Sequence, residues 1–145
     1  MSKTVLYATD FSRPSLAALP HAIAAARERR AELVVLHVLP PPVGPDAMSY
    51  VPARMYEEMK AAVVRNARRR MDLLVSRVSR AKVRSRWLLA EGLPQEEIPR
   101  AARKLKAVLL VAGTHGRTGI ARLLMGSVAA QVIGTSPCPV MTIRR

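Results

Sequence analysis

Apolar residues along the chain follow two kinds of pattern. Short runs rich in strand formers occur at Thr4–Ala8 (TVLYA), at 33–39 (LVVLHVL), at 107–112 (AVLLVA) and at Val140–Ile143 (VMTI), and such runs predict buried strands. The run 107–112 is wholly apolar, as expected of a central parallel strand covered on both faces. Between the runs apolar residues recur at helical spacing. A first helix is capped by Ser12 ahead of Pro14 and carries Leu16, Leu19, Ile23 and Ala26 on one face, with Pro20 predicting a kink. A second aligns Met55, Met59, Val63, Ala67, Met71, Leu74 and Val78. A third covers Pro94–Lys104, opened by Pro94, Glu96 and Glu97 and closed by Arg100, Arg103 and Lys104, as the helix dipole prefers. A fourth covers 127–133, with Gly134 at its end. Residues 83–90 read as a further strand, with Val83, Trp87 and Leu89 on one face and Arg84, Arg86 and Leu88 on the other, a division that suits a sheet edge. Pro40, Pro41, Pro42, Gly44 and Pro45 predict an irregular loop before the second helix.

Strand and helix alternate from end to end, without internal repeat or linker. This predicts one α/β domain over 1–145 with a mainly parallel sheet and right-handed crossovers, while the strand order stays unreadable from the pattern. In such sheets ligands bind beyond the carboxyl ends of the strands, where the direction of connection reverses. Asp10 and Gly113 end the first and fourth strands, which makes them candidates. A chain of 145 residues, half of them apolar, is long enough to bury a core. Its longest apolar run, 107–112, falls far short of the roughly twenty residues that cross a bilayer. Only four apolar residues separate Lys3 from Asp10, too few for a secretory leader, and Cys138 is the single cysteine. A cytoplasmic protein with no membrane association is the expectation.

The charge changes the picture in one place. Of the net +14, the segment 54–86 holds eleven Lys and Arg against three acids (Glu57, Glu58, Asp72), a balance of +8. Its basic residues mostly occupy the face opposite the apolar stripe. Two readings stand: a solvated helix face, or a surface that attracts nucleic acid electrostatically. With one Phe, one Trp and three Tyr in the chain and no nucleic-acid-binding motif, sequence-specific recognition is not expected.

Chemistry concentrates in 113–127, GTHGRTGIARLLMGS. Glycines after a buried strand, followed by a helix start at Ser127, are suited to backbone contact with phosphate, and Arg117 can add charge; the same glycines also serve as plain turn residues. The spacing matches neither the GxxxxGK[ST] loop nor the GxGxxG fingerprint. His37 and His115 lack triad or metal-site partners at the required spacing and read as a sheet and a loop residue. Cys138 reads as a small buried side chain and the methionines as core filler. Asp10 can cap a turn or meet a ligand.

Gly113, two residues, Gly116, nine residues, then Gly126 and Ser127 is a spacing that resembles the nucleotide-binding branch of the universal stress protein family. TVLYATDFS at the start, LHV at His37, GLPQEEIPRAA at 92–102, GRTGIARLLMGSVAAQVI and SPCPVMTIR also resemble its members, so the likeness covers nearly the whole chain. It implies a Rossmann-like, five-stranded sheet of order 3-2-1-4-5 with helices on both faces. It implies that Thr9 and Asp10 lie against an adenosine and that the backbone of Val38 meets the adenine edge. Gly113, Gly116, Arg117, Gly126, Ser127 and Val128 then line ribose and phosphates. It implies ATP as ligand, with Mg²⁺ or Mn²⁺ on the phosphates, a homodimer paired through the last strand, and a stress-linked regulator or nucleotide sensor. Asp10 being assigned to adenosine, no general base remains, so slow ATP hydrolysis is the most expected. The alternatives are a protein of the same fold that binds partners and no nucleotide, and an electrostatic nucleic-acid binder through 54–86. Two departures from the family stand out: Ala107 follows Lys106 where many members have Asp, and Thr114 replaces a common Ser.

Overall fold

The computed structural model describes residues 2–114 and 127–144. The elements are β1 (Thr4–Ala8), α1 (Arg13–Ala17), α2 (Leu19–Arg29), β2 (Glu32–Leu39), α3 (Pro45–Met48), α4 (Ala53–Arg80), β3 (Ser85–Glu91), α5 (Pro94–Lys104), β4 (Leu109–Gly113), α6 (Ser127–Thr135) and β5 (Val140–Ile143). All five strands form one sheet in the order β3-β2-β1-β4-β5, and all four pairings are parallel. This is the architecture that the family resemblance implies.

Alternation along the central strands sorts side chains into two cores. Val5, Tyr7, Leu33, Val35, Leu109 and Val111 pack with α2 and with Met71, Leu74 and Val78 of α4. Leu6, Leu36, Val38 and Leu110 face the other way, against Ile98 and Ala102 of α5 and Val132 of α6. Ala107 is buried in this second core, so the departure from Asp there falls on an apolar side of the sheet. β3 and β5 are the borders, and Arg84, just before β3, and Arg86, on it, share Glu32 of β2 at 3.2 and 2.8 Å.

Several boundaries differ from the sequence reading, each for a physical reason. The first helix is not kinked at Pro20 but divided at Ala18. Pro20 has no N–H to give to the Leu16 carbonyl, and α2 restarts with Pro20 in its first turn. The proline-rich loop is shorter than expected, because Pro45 opens α3 from the N1 position that suits it. Segment 54–86 is shared between two elements: α4 ends at Arg80, Lys82 turns the chain at φ +61, and Arg84 and Arg86 belong to the β3 side. Gly134 lies inside α6 rather than beyond it.

The two faces of α4 make a direct check. Met71 is fully buried, whereas Leu73 is 66% exposed. Met71→Ala is expected to lower unfolding stability by about 2 to 5 kcal/mol, and Leu73→Ala to change it by less than about 0.5 kcal/mol, both read from urea midpoints.

Candidate functional site

α2, which follows β1, packs in the first core, and α6, the next described helix after β4, packs in the second, so the direction of connection reverses between these neighbouring strands. Open α/β sheets place their ligand crevice at such a point, beyond the carboxyl ends. Thr9 and Asp10 follow β1 directly, and Gly113 ends β4 opposite Ile143 of β5.

The turn after β1 is tightly specified. The Thr9 N–H donates to the Leu36 carbonyl at 2.9 Å. Its hydroxyl accepts the Phe11 N–H at 3.0 Å and shares a short hydrogen bond with the Ser15 hydroxyl. Asp10 Oδ1 accepts the Ser12 N–H at 2.9 Å. These local side-chain bonds hold Phe11 at φ +65, the left-handed region that a Phe rarely enters. The Phe11 ring is then clamped. His37 lies 4.4 Å from it, centroid to centroid, and the Arg70 guanidinium 5.2 Å from its centre. His37 Nδ1 is 2.8 Å from the Thr9 carbonyl; a carbonyl only accepts, so Nδ1 carries the hydrogen. His37 is thus a buried sheet residue, as the sequence suggested, with a specific duty at the turn.

Gly113 has a stronger reason to be glycine than loop chemistry. A Cβ there would stand 2.8 Å from the Pro14 carbonyl oxygen and 3.0 Å from the Ser15 nitrogen. The first turn of α1 therefore lies against the β4 backbone. It is fixed there from β1, since the Tyr7 hydroxyl donates to the Ser15 carbonyl at 2.6 Å. Burial pushes the Tyr7 pKa above its ordinary 10.0, an effect opposed by hydrogen bonds with Thr9 and Ser15 and by the Arg77 charge.

The other expected residues divide. Val38 is buried on β2, in register with Ala90 of β3. Ser127 and Val128 are the exposed first residues of α6. Gly116, Arg117, Gly126 and His115 lie outside the described residues. Thr114 is buried, and its N–H donates to the Ile143 carbonyl at 3.1 Å. Ser15, Phe11 and Arg70 were not singled out by sequence. The cap at Ser12 was a usable sign for Ser15, which sits at N3, whereas nothing local announces that Arg70 reaches Phe11. No three His, Cys, Asp or Glu gather as a metal site among the described residues. A separate cleft of about 300 Å³ lies toward the sheet border, between the 40–42 prolines and Tyr56, Lys60 and Val63 of α4, with a 3.1 Å Lys60–Glu91 ion pair along it. It is one strand removed from the reversal point.

Two checks follow from this geometry. Gly113→Ala is expected to destabilise by about 1 to 3 kcal/mol, the range for overpacking. Gly134→Ala, with open space at its Cβ, is expected to stabilise by about 0.5 to 1 kcal/mol; both are read by denaturant unfolding. Tyr7 is the second. Its folded pKa is raised, so its contribution is complete below the unfolded value and is lost as pH climbs through the folded one. The wild type is expected to lose more stability above about pH 10 than Tyr7→Phe, which lacks that titration.

Comparison with known proteins agrees with this architecture. A model of the universal stress protein family matches residues 1–144. Universal stress protein MJ0531 of Methanocaldococcus jannaschii is 34% identical, over 99% of this chain and 82% of its own length. The solved structure of MJ0577 from the same organism superposes with a TM-score of 0.86 at 28% identity, covering 100% of this chain and 97% of that one. A universal stress protein solved in complex with cAMP superposes with a TM-score of 0.68 at 26% identity, covering 99% and 97% of the two chains. With the sheet order, the two-sided core and the whole-length match in agreement, this chain belongs to the universal stress protein family.

Proposed function

We propose that this protein binds an adenine nucleotide, ATP in the first place, at the β1–β4 reversal and acts as a stress-linked regulator or nucleotide sensor. The observation that carries the reading is the juxtaposition at that point of Thr9 and Asp10, after β1, with Gly113 at the end of β4, in a family with a member solved on cAMP. Thr9 and Asp10 would face the adenosine and the Val38 backbone the base edge. Gly113, Gly116, Arg117, Gly126, Ser127 and Val128 would line ribose and phosphates. Glycine amides and the N-terminus of α6 suit that task, because exposed N–H groups and the helix dipole favour anions.

The donor set bears on the metal. Among the described residues no acid cluster exists to hold a cation, so Mg²⁺ or Mn²⁺ would arrive on phosphate oxygens rather than in a protein cage. Asp10 already takes the Ser12 N–H on one oxygen, and its assignment to adenosine leaves no evident base for water. Binding, with slow hydrolysis at most, is the expected behaviour. β5 supports the companion proposal of a homodimer: it borders the sheet with four uncharged residues, VMTI. No helix among the described residues is long and apolar enough to cross a membrane.

Calorimetric titration with Mg-ATP, AMP and cAMP tests the reading. Micromolar binding is expected, lost by about tenfold or more in Gly116→Val, where a side chain would block backbone contact. Gly113→Val is the wrong probe, since it would strike α1 first. Asp10→Asn, which still accepts the Ser12 N–H, isolates the carboxylate charge and is expected to weaken binding by about threefold to thirtyfold. Absence of heat with every adenine nucleotide would sink the reading in favour of a partner-binding protein of the same fold. Sedimentation equilibrium on the same sample checks the pairing, a one-chain mass counting against it.

A further inference from the structure

α4 carries its charge unevenly. In its first half Arg54 pairs with Glu58 at 3.6 Å, Lys60 pairs with Glu91 of β3 at 3.1 Å, and Glu57 adds a further acid. That half is a balanced, solvated helix face. From Arg65 to Arg80 the same helix has six arginines, at 65, 68, 69, 70, 77 and 80, against one acid. The acid, Asp72, is engaged by the Trp87 indole N–H at 2.8 Å. Arg70 lies over Phe11. Among the described residues the other five make no ion pair, and all five are exposed. Arg27 of α2 reaches the Ala81 carbonyl at 2.7 Å and adds a seventh guanidinium at the same end.

Folding does not call for this arrangement. Arg77 and Arg80 suit the helix C-terminus electrostatically, but Arg65, Arg68 and Arg69 lie too far from it. Neighbouring like charges on a helix repel. Since Ala67, Met71, Leu74 and Val78 face the core, Arg65, Arg69 and Arg80 lie on the outward side, with Arg68 on one flank and Arg77 on the other. At about 1.5 Å per residue, Arg65 to Arg80 spans about 22 Å, comparable with about six base-pair steps of 3.4 Å.

The chemistry selects among anionic partners. A membrane-surface helix needs an apolar face free to insert, and that of α4 is already in the core. A protein interface centres on aromatic or aliphatic anchors, and in 65–80 Leu73 is the sole large exposed apolar residue. Guanidinium groups fit phosphate in a two-pronged way that ammonium groups do not. No exposed aromatic stands on this stretch to stack a base. We propose that the outward face of α4 from Arg65 to Arg80 binds the phosphodiester backbone of nucleic acid, without sequence preference and apart from the β1–β4 reversal.

The test is fluorescence anisotropy with the full chain on a labelled mixed-sequence DNA duplex of about 24 base pairs and on single-stranded DNA of equal length, from about 0.05 to 0.3 M salt. The ridge variant is Arg65→Gln/Arg69→Gln/Arg80→Gln. The control, Lys3→Gln/Arg103→Gln/Lys104→Gln, removes equal charge from exposed residues elsewhere. Circular dichroism verifies that both fold. Binding is expected to weaken at least about tenfold in the ridge variant and less than about threefold in the control, with the log–log salt slope on duplex flatter by about 2 to 3 in the ridge variant. Equal loss in both variants would overturn the proposal, because it would mean diffuse attraction to the whole protein. No binding to either DNA near about 0.1 M salt would also overturn it. Capture by phosphatidylserine vesicles without binding to DNA would reassign the ridge to membranes.

Discussion

The carboxyl end of the sheet rests on one close approach, that of the first turn of α1 to the backbone of Gly113. β1 and β4 are paired from Val5 with Leu109 to Tyr7 with Val111, and beyond that point α1 joins them. From the β1 side Tyr7 and Thr9 both hold Ser15, and from the β4 side the absence of a Cβ lets that same turn settle. A residue expected to admit a ligand thus first admits the chain itself. The two roles are compatible, since a small residue exposes backbone as well as receiving it, but the packing role means that substitutions at Gly113 report on folding before they report on binding.

Much of this was legible in the sequence. The run TVLYA, the apolar stretch at 107–112 and the alternation with helices sufficed for a parallel α/β sheet, and the charged face of Arg84 and Arg86 marked β3 as a border. Helix ends were harder. Where a helix ends in a left-handed residue, that residue is most often glycine, yet here Arg30, Lys82 and Lys106 take that conformation after α2, α4 and α5. No glycine marked the end of α4, which is why 54–86 looked like one basic segment. At the site, Asp10 and Gly113 stood out as candidates because they end strands, whereas Thr9 entered through the family resemblance. The Arg70–Phe11–His37 stack was not legible, because it joins three elements far apart in sequence. The strand order itself came from the family resemblance and not from any local pattern.

Polar groups inside the molecule are accounted for: among the described residues no buried side-chain nitrogen or oxygen lacks a hydrogen-bond partner. Those at the β1 turn serve geometry, holding a phenylalanine in a conformation that its own preferences oppose. His37 links that turn to β2 through the Thr9 carbonyl, and Arg70 links it to α4. The turn after β1 is therefore braced from two neighbouring elements, so that the Asp10 carboxylate stands on a rigid mount.

The borders of the sheet are unlike. The β3 border holds Arg86, and Arg84 just before the strand, both joined to Glu32, which discourages any further strand, whereas β5 presents four uncharged residues. Among the described residues, β5 is thus the border better suited to strand addition. A two-fold pairing at β5 would turn both charged borders outward, so the assembly would terminate at ten strands instead of growing into a fibre.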